Sequence, residues 1–347
     1  MDLSNDLRQT YDVSENPALA QFDLQTRSPP VTTLQSVGHT TLGLDCLLIV
    51  IRRLYSYLFA RYSARSPVNL AAEAENPILQ MAWQDFGEES AQDWPALKRQ
   101  ILERFNPTEA FPQEIWFENL CFSPLMLKTF WSRPEHHLYR VRLVKSGSLW
   151  SRLEWAEEDL VRQSTMVVDQ KKAQNLTFQE HIDQNFGWKK QDDGTEALYA
   201  CRRPPIARIK YTKDKGLEPF PFQDIKNIRL PIAGADKDEN YIPVASRSLY
   251  TLLAAVFLVK TGQNDCVRTY EFVGSELVLS PSGPFCAGRS RSLQTQESGK
   301  VMLFYAHSKD DSMIHSGYGE FASRPIKTDM DAAINAMSAE YEDEWKR

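Results

Sequence analysis

The sequence predicts an α+β domain, with helices gathered in the first third of the chain and strands in the rest. Three observations carry this expectation. Apolar residues recur at helical spacing in 45–62 (DCLLIVIRRLYSYLFARY) and 92–105 (QDWPALKRQILERF). Beyond Arg133-Pro134 the texture changes to short apolar runs: HLYRVRLVK at 137–145, LYTLLAAVFL at 249–258, CVRTYEF at 266–272 and KVMLFY at 300–305. Nineteen prolines and thirteen tyrosines in 347 residues fit many short strands and turns and not a helical bundle.

Residues 1–33 are polar, carry Pro17, Pro29 and Pro30, and lack sustained periodicity; they read as a flexible arm. Asp45 is placed to cap a buried helix, whose first three turns are crowded with apolar side chains. In 92–105, Trp94, Leu97, Ile101 and Phe105 share one stripe and Pro95 sits in the first turn. Asn106-Pro107 ends that helix, and Glu114–Phe130 reads as another. The stretches 137–145, 149–155 and 163–168 follow as strands. At the far end, 329–347 is an amphipathic helix candidate, with Met330, Ile334, Met337 and Tyr341 on one stripe. Docking on its own domain is the simpler reading there, ahead of partner binding.

Composition narrows the function. The formal net charge is −6, from 40 basic and 46 acidic side chains, which argues against a general nucleic-acid binder. The five cysteines (Cys46, Cys121, Cys201, Cys266, Cys286) are scattered, with no CxxC pair for zinc or redox chemistry. His136 and His137 are adjacent, so a strand would point them to opposite faces; His181 has no partner at i+4. No metal and no cofactor are expected: phosphate-loop, dinucleotide, HExxH and GxSxG motifs are all missing. The first thirty residues have no apolar core of a secretory leader, and Arg52 and Arg53 stop the Leu47–Ile51 run far short of a membrane span. Free thiols then favour a reducing compartment, cytoplasmic or nuclear.

The three closing runs resemble, in order and residue type, the last strands of ubiquitin-specific proteases, which read YxLxAVVxH, then GHYTAY, then xxLFY. Earlier stretches fit the same order: 175–187 (NLTFQEHIDQNFG), 203–211 (RPPIARIKY) and 222–232 (FQDIKNIRLPI). The resemblance spans about 34–306 and implies a papain-like fold: a helical thumb over about 34–132, then short fingers and an antiparallel β palm over about 133–306, with 307–347 as an extension. It also implies ubiquitin or a ubiquitin-like protein, or another protein, as partner; with short, zinc-free fingers and no nucleophile, that binding is expected to be weak and non-covalent.

The family's catalytic residues are not matched. Its nucleophilic cysteine stands before a long helix, where the helix dipole and backbone donors lower the thiol pKa. This chain has Gly38-His39-Thr40-Thr41-Leu42-Gly43-Leu44-Asp45-Cys46; one alignment puts Leu42 at the nucleophile and another puts Thr41 there. Gly38, His39 and Thr40 line the stretch where the family stabilises an oxyanion and binds its substrate tail. Aligning Thr269-Tyr270 puts Cys266 where the base should be and Asp265 where the family has glycine. A thiol cannot orient and deprotonate another thiol as imidazole does. The third triad position falls on Ser280, and Glu276 reads as a solvated turn residue. His307 and His315 follow the last family strand, where a displaced base is the less favoured reading. Cys46, one turn into the helix, reads as core packing. Three functions stay open: an inactive protein-binding domain, which is preferred; a peptidase using Cys46 with a rearranged base; and a structural scaffold.

Overall fold

A computed structural model describes residues 5–30, 33–34, 39–87, 93–105, 116–146, 149–153, 156–172, 175–191, 194–235, 241–258, 265–271, 276–277, 285–286, 291–294, 298–308 and 320. Short helices α1 (Leu7–Thr10) and α2 (Pro17–Thr26) open the chain, and β1 (Thr33–Leu34) pairs with β2 (His39–Thr40). The central helix α3 (Leu42–Tyr57) follows, then α4 (Phe59–Ser63), α5 (Pro67–Glu75), α6 (Pro77–Met81), α7 (Trp94–Phe105) and α8 (Phe117–Cys121). The expected α+β class is what the chain adopts.

Local chemistry explains several of the element ends. Ser66 and Asn76 accept from Asn69 N and Ile78 N, each followed by a proline at the first helical position. The single helix expected over 114–130 is interrupted instead. Proline cannot continue the preceding helix, so at Ser123-Pro124 a new turn starts with Ser123 Oγ on Met126 N. That turn runs into a π-helical stretch, Leu127–Trp131.

The flexible arm expected at 1–33 is corrected over 5–30. Leu7 is fully buried, and its N–H donates to Trp83 O at 2.8 Å. Arg8 pairs with Asp6 at 2.6 Å and Glu73 at 2.8 Å, and its guanidinium stacks over Trp83. These charges neutralise one another locally, which is why a polar segment packs. The polar composition hid this, because the partners lie up to 76 residues away, from Leu7 to Trp83.

The remaining strands form one large sheet. They are β3 (Tyr139–Ser146), β4 (Leu149–Leu153), β5 (Thr165–Asp169), β6 (Gly187–Lys190), β7 (Glu196–Cys201), β8 (Ile206–Lys213), β9 (Asn227–Ala235), β10 (Tyr241–Leu258), β11 (Cys266–Tyr270), β12 (Glu276–Leu277) and β13 (Gly299–His307). The order is β4-β3-β7-β9-β10-β13-β8-β5; β11 and β12 branch from β10, and β6 pairs with β7. Pairings are antiparallel except β5 with β8 and β7 with β9.

Side-chain alternation splits the core into two layers. Leu253, Ala254, Val256, Val267, Met302, Phe304 and Ala306 face the helices and pack with α3. Leu252, Ala255, Phe257, Cys266, Tyr270, Leu303 and Tyr305 face the other way, against Phe178, Ile182, Phe222 and Ile225. Burial on both faces accounts for the near-continuous apolar runs in β10 and β13. Thr177 caps the helix Phe178–Asp183 with a reciprocal Glu180 contact, which fixes the second layer's entry. Arg52 and Arg53 do not end α3. Arg52 donates to the carbonyls of Asp23, Ala82 and Gln84, all at 2.8 Å, and Arg53 donates to Tyr270 O at 2.7 Å. Among the described residues no helix is long and apolar enough to cross a membrane.

Candidate functional site

The site lies where the N-terminus of α3 meets the start of β11, with α7 and α8 alongside. Thr41, not Asp45, holds the N-cap position of α3. Both residues are fully buried, and Thr41 Oγ1 donates to Asp45 Oδ2 at 2.7 Å. Lys98 reaches in from α7 and sets its ammonium 2.7 Å from Asp45 Oδ1; both side chains have no exposure. The same ammonium donates to the carbonyl of Pro30. Burial pushes the Asp45 carboxyl up to about 6, against the opposing pull of Lys98 and Thr41. Burial likewise pulls Lys98 down, against the pull of Asp45. In a water-free setting each charge depends on the other.

Cys46, the next residue of α3, is fully buried. Burial foremost, then the carboxylates of Asp265 and Asp45, push its thiol well above the ordinary value, with Arg291 pulling the other way. A thiolate is the nucleophilic form, so burial and these carboxylates work against the reactive state of this sulfur. Leu42, half-buried at the first helical position, offers no chemistry.

From the sheet side, alternation decides what reaches α3. Val267 faces the helices and Cys266 faces the second layer, so Cys266 is turned away from Cys46. Asp265 is the polar group at this junction: it is 3% exposed and Oδ2 accepts from Phe117 N at 2.7 Å, the first residue of α8. Cys266 is, moreover, bonded to Cys286 across 20 residues of sequence. The expectation of five free thiols is therefore corrected; Cys46, Cys121 and Cys201 are free and buried.

Other residues singled out in the sequence lie elsewhere. His136 sits in a 3-10 turn and not in a strand, with Nε2 2.8 Å from Tyr62 Oη and its ring among Phe130 and Trp131. His181 packs on Phe220. His307 ends β13, with Nε2 accepting from Arg203 Nε at 3.2 Å. Glu276, expected as a solvated turn residue, is instead the partner of fully buried Arg268. His39 and Thr40 form β2 next to the site as backbone, whereas Gly38, Ser280, His315 and 329–347 lie outside the described residues. No group of three or more metal-ligating side chains occurs among the described residues.

Lys98 was missed, although a signal existed. It lies four residues after Trp94 and three before Ile101, on the stripe that the helix buries, and a lone cation there needs a carboxylate. The disulfide had no local signal, since spacing alone does not assign pairing.

No family model matches the chain, and no curated protein matches it in sequence. Solved structures with a similar course include the SAGA Ubp8/Sgf11/Sus1/Sgf73 DUB module bound to ubiquitin aldehyde. The identity is 9%, the match covers 84% of this chain and 71% of that one, and the TM-score is 0.48. The Ubp8-Sgf11-Sgf73-Sus1 SAGA DUB module matches at 9% identity, over 84% and 69% of the two chains, with TM-score 0.43. A third is the Saccharomyces cerevisiae Pan2 pseudoubiquitin hydrolase-RNA exonuclease module in complex with AAUUAA RNA. It matches at 7% identity, over 92% of this chain and 55% of that one, with TM-score 0.33.

Proposed function

We propose that this chain is a ubiquitin-protease-like domain without a working thiol–imidazole pair, and that it acts by binding a protein. Ubiquitin or a ubiquitin-like protein is the first partner to test. The observation that carries the reading is the pairing at the α3–β11 junction. There a fully buried thiol faces carboxylates, and the strand presents Asp265 on the side where a base would have to stand. Nucleophilic catalysis by sulfur needs a thiolate and a base within hydrogen-bond reach; two carboxylates beside a buried thiol work against both. The peptidase reading is disfavoured by the same observation, since Cys46 has no exposed surface from which to meet an acyl carbon.

The test uses the full chain with ubiquitin–fluorophore, an electrophilic ubiquitin probe and plain ubiquitin. The expected result is no turnover, no probe adduct, and NMR shifts with plain ubiquitin at micromolar or weaker affinity, about −8 kcal/mol or less favourable. Turnover abolished by Cys46→Ala would restore the peptidase reading. Absence of any shift at millimolar ubiquitin would remove ubiquitin as partner and favour the scaffold.

A further inference from the structure

The bonded sulfurs lie on the sheet face turned away from α3. Cys266 opens β11, and Phe285 bridges Val267 in parallel, so that Cys286 N donates to Val267 O at 3.3 Å. Cys266 and Cys286 keep 9% and 8% exposure, whereas Cys46 and Cys121 have none. The two sulfurs also differ in charge environment. Arg291 Nη1 stands 3.5 Å from Cys266 Sγ, and among the described residues no cation makes such a contact with Cys286. Other charges near Cys266 are committed elsewhere. Asp265 accepts from Phe117 N on the helix side, and Arg268, two residues along, pairs with Glu276.

We infer that the Cys266–Cys286 bond is a thiol-exchange site with a fixed polarity, taking a small thiol or dithiol that attacks Cys286 while Cys266 departs beside Arg291. In thiol–disulfide exchange the sulfur better able to carry negative charge leaves faster. A guanidinium at contact distance supplies that stabilisation to Cys266. The attacking thiolate donates its electron pair to Cys286 Sγ, and the electrons of the broken S–S bond go to Cys266. With a monothiol the products are a mixed disulfide on Cys286 and a Cys266 thiolate, which takes up the proton the attacking thiol released. With a dithiol, its second sulfur displaces Cys286, so the reagent closes to a disulfide. The protein gains two electrons and two thiols.

Ser292 and Leu293 are held by contacts that do not depend on the bond. Lys213 Nζ donates to Ser292 O at 2.9 Å, Glu320 accepts from Leu293 N at 2.6 Å, and Leu293 is fully buried. The exchange is therefore local, and the folded protein carries it.

The experiment uses the full chain purified without reductant, in which intact mass should report one disulfide. Glutathione is added for a short interval, the reaction is acid-quenched, free thiols are capped with N-ethylmaleimide, and tryptic peptides are mapped by tandem mass spectrometry. Glutathione is expected on Cys286 and maleimide on Cys266, with a preference of about tenfold or more. Arg291→Gln should bring the ratio towards one while circular dichroism stays unchanged, and Arg291→Lys should restore part of it. Adduct chiefly on Cys266, a ratio indifferent to Arg291→Gln, exchange seen only after urea unfolding, or no disulfide in the intact mass would each overturn the inference.

Discussion

Two sulfur-bearing corners of this molecule stand on opposite faces of the same strand. On the helix side, Cys46 is fully buried, and burial with the carboxylates of Asp265 and Asp45 pushes its thiol pKa up against the pull of Arg291. On the other side, Cys266 keeps some exposure, is bonded to Cys286 and touches Arg291. The same atom type is fully enclosed in one place and bonded beside a guanidinium in the other. Position in the family-like sequence pattern does not decide which; strand alternation and the charge of the neighbours do.

The largest way to break the comparison is at the buried ion pair. Lys98→Met should cost about 3–5 kcal/mol in urea denaturation, because it leaves the Asp45 carboxylate buried without its cation. The double change Lys98→Met with Asp45→Leu should recover most of that loss. If the single variant cost under about 1 kcal/mol, the charge would not be holding the α3 corner together.

The disulfide side is next in size. Removing the cross-link, by reduction or by Cys266→Ser with Cys286→Ser, should cost about 3 kcal/mol from the 20-residue loop it closes. A reductant should lower the melting temperature of the native chain and leave that of the double variant where it is.

A smaller effect concerns pH in the helix layer. Burial, helped by Arg208 and Arg133, holds His136 well below its usual pKa, so it is neutral in the fold. Its folded pKa is depressed, so the unfolded chain takes up a proton first as pH falls through about 6.5. The contribution of His136 is therefore complete above that pH and is lost below it, by about 1.4 kcal/mol at pH 5.5 relative to pH 7.5. Comparing urea midpoints of the native chain and His136→Phe at the two pH values isolates this slope, which the variant should lack.

The smallest expected signal is the most direct contrast. In the folded chain, Cys46 should remain unalkylated by iodoacetamide from pH 7 to 9, while Cys266, once reduced, should be alkylated within minutes. Labelling of Cys46 at a rate comparable to Cys266 would erase the distinction between the corners.

Much of the architecture was legible before any coordinates. Helical spacing placed α3 and α7 to within a few residues, and the apolar runs became β8, β10, β11 and β13 of one sheet. That works because hydrophobic periodicity is a local property of the chain. The sequence also determined that no cysteine stands at the two aligned nucleophile positions, Thr41 and Leu42, and that no histidine stands at Cys266.

What only the tertiary structure decided was long-range. It set the face on which each β11 residue lies, and it bonded Cys266 to Cys286. It also brought Lys98 to Asp45 across 53 positions of sequence and drew the polar N-terminal segment into the helix layer through Arg8, Asp6 and Glu73. Each of these depends on removing charge or sulfur from water together with a specific distant partner. A single polar residue read in isolation scores as exposed, and only the assembled fold supplies the partner that makes its burial favourable.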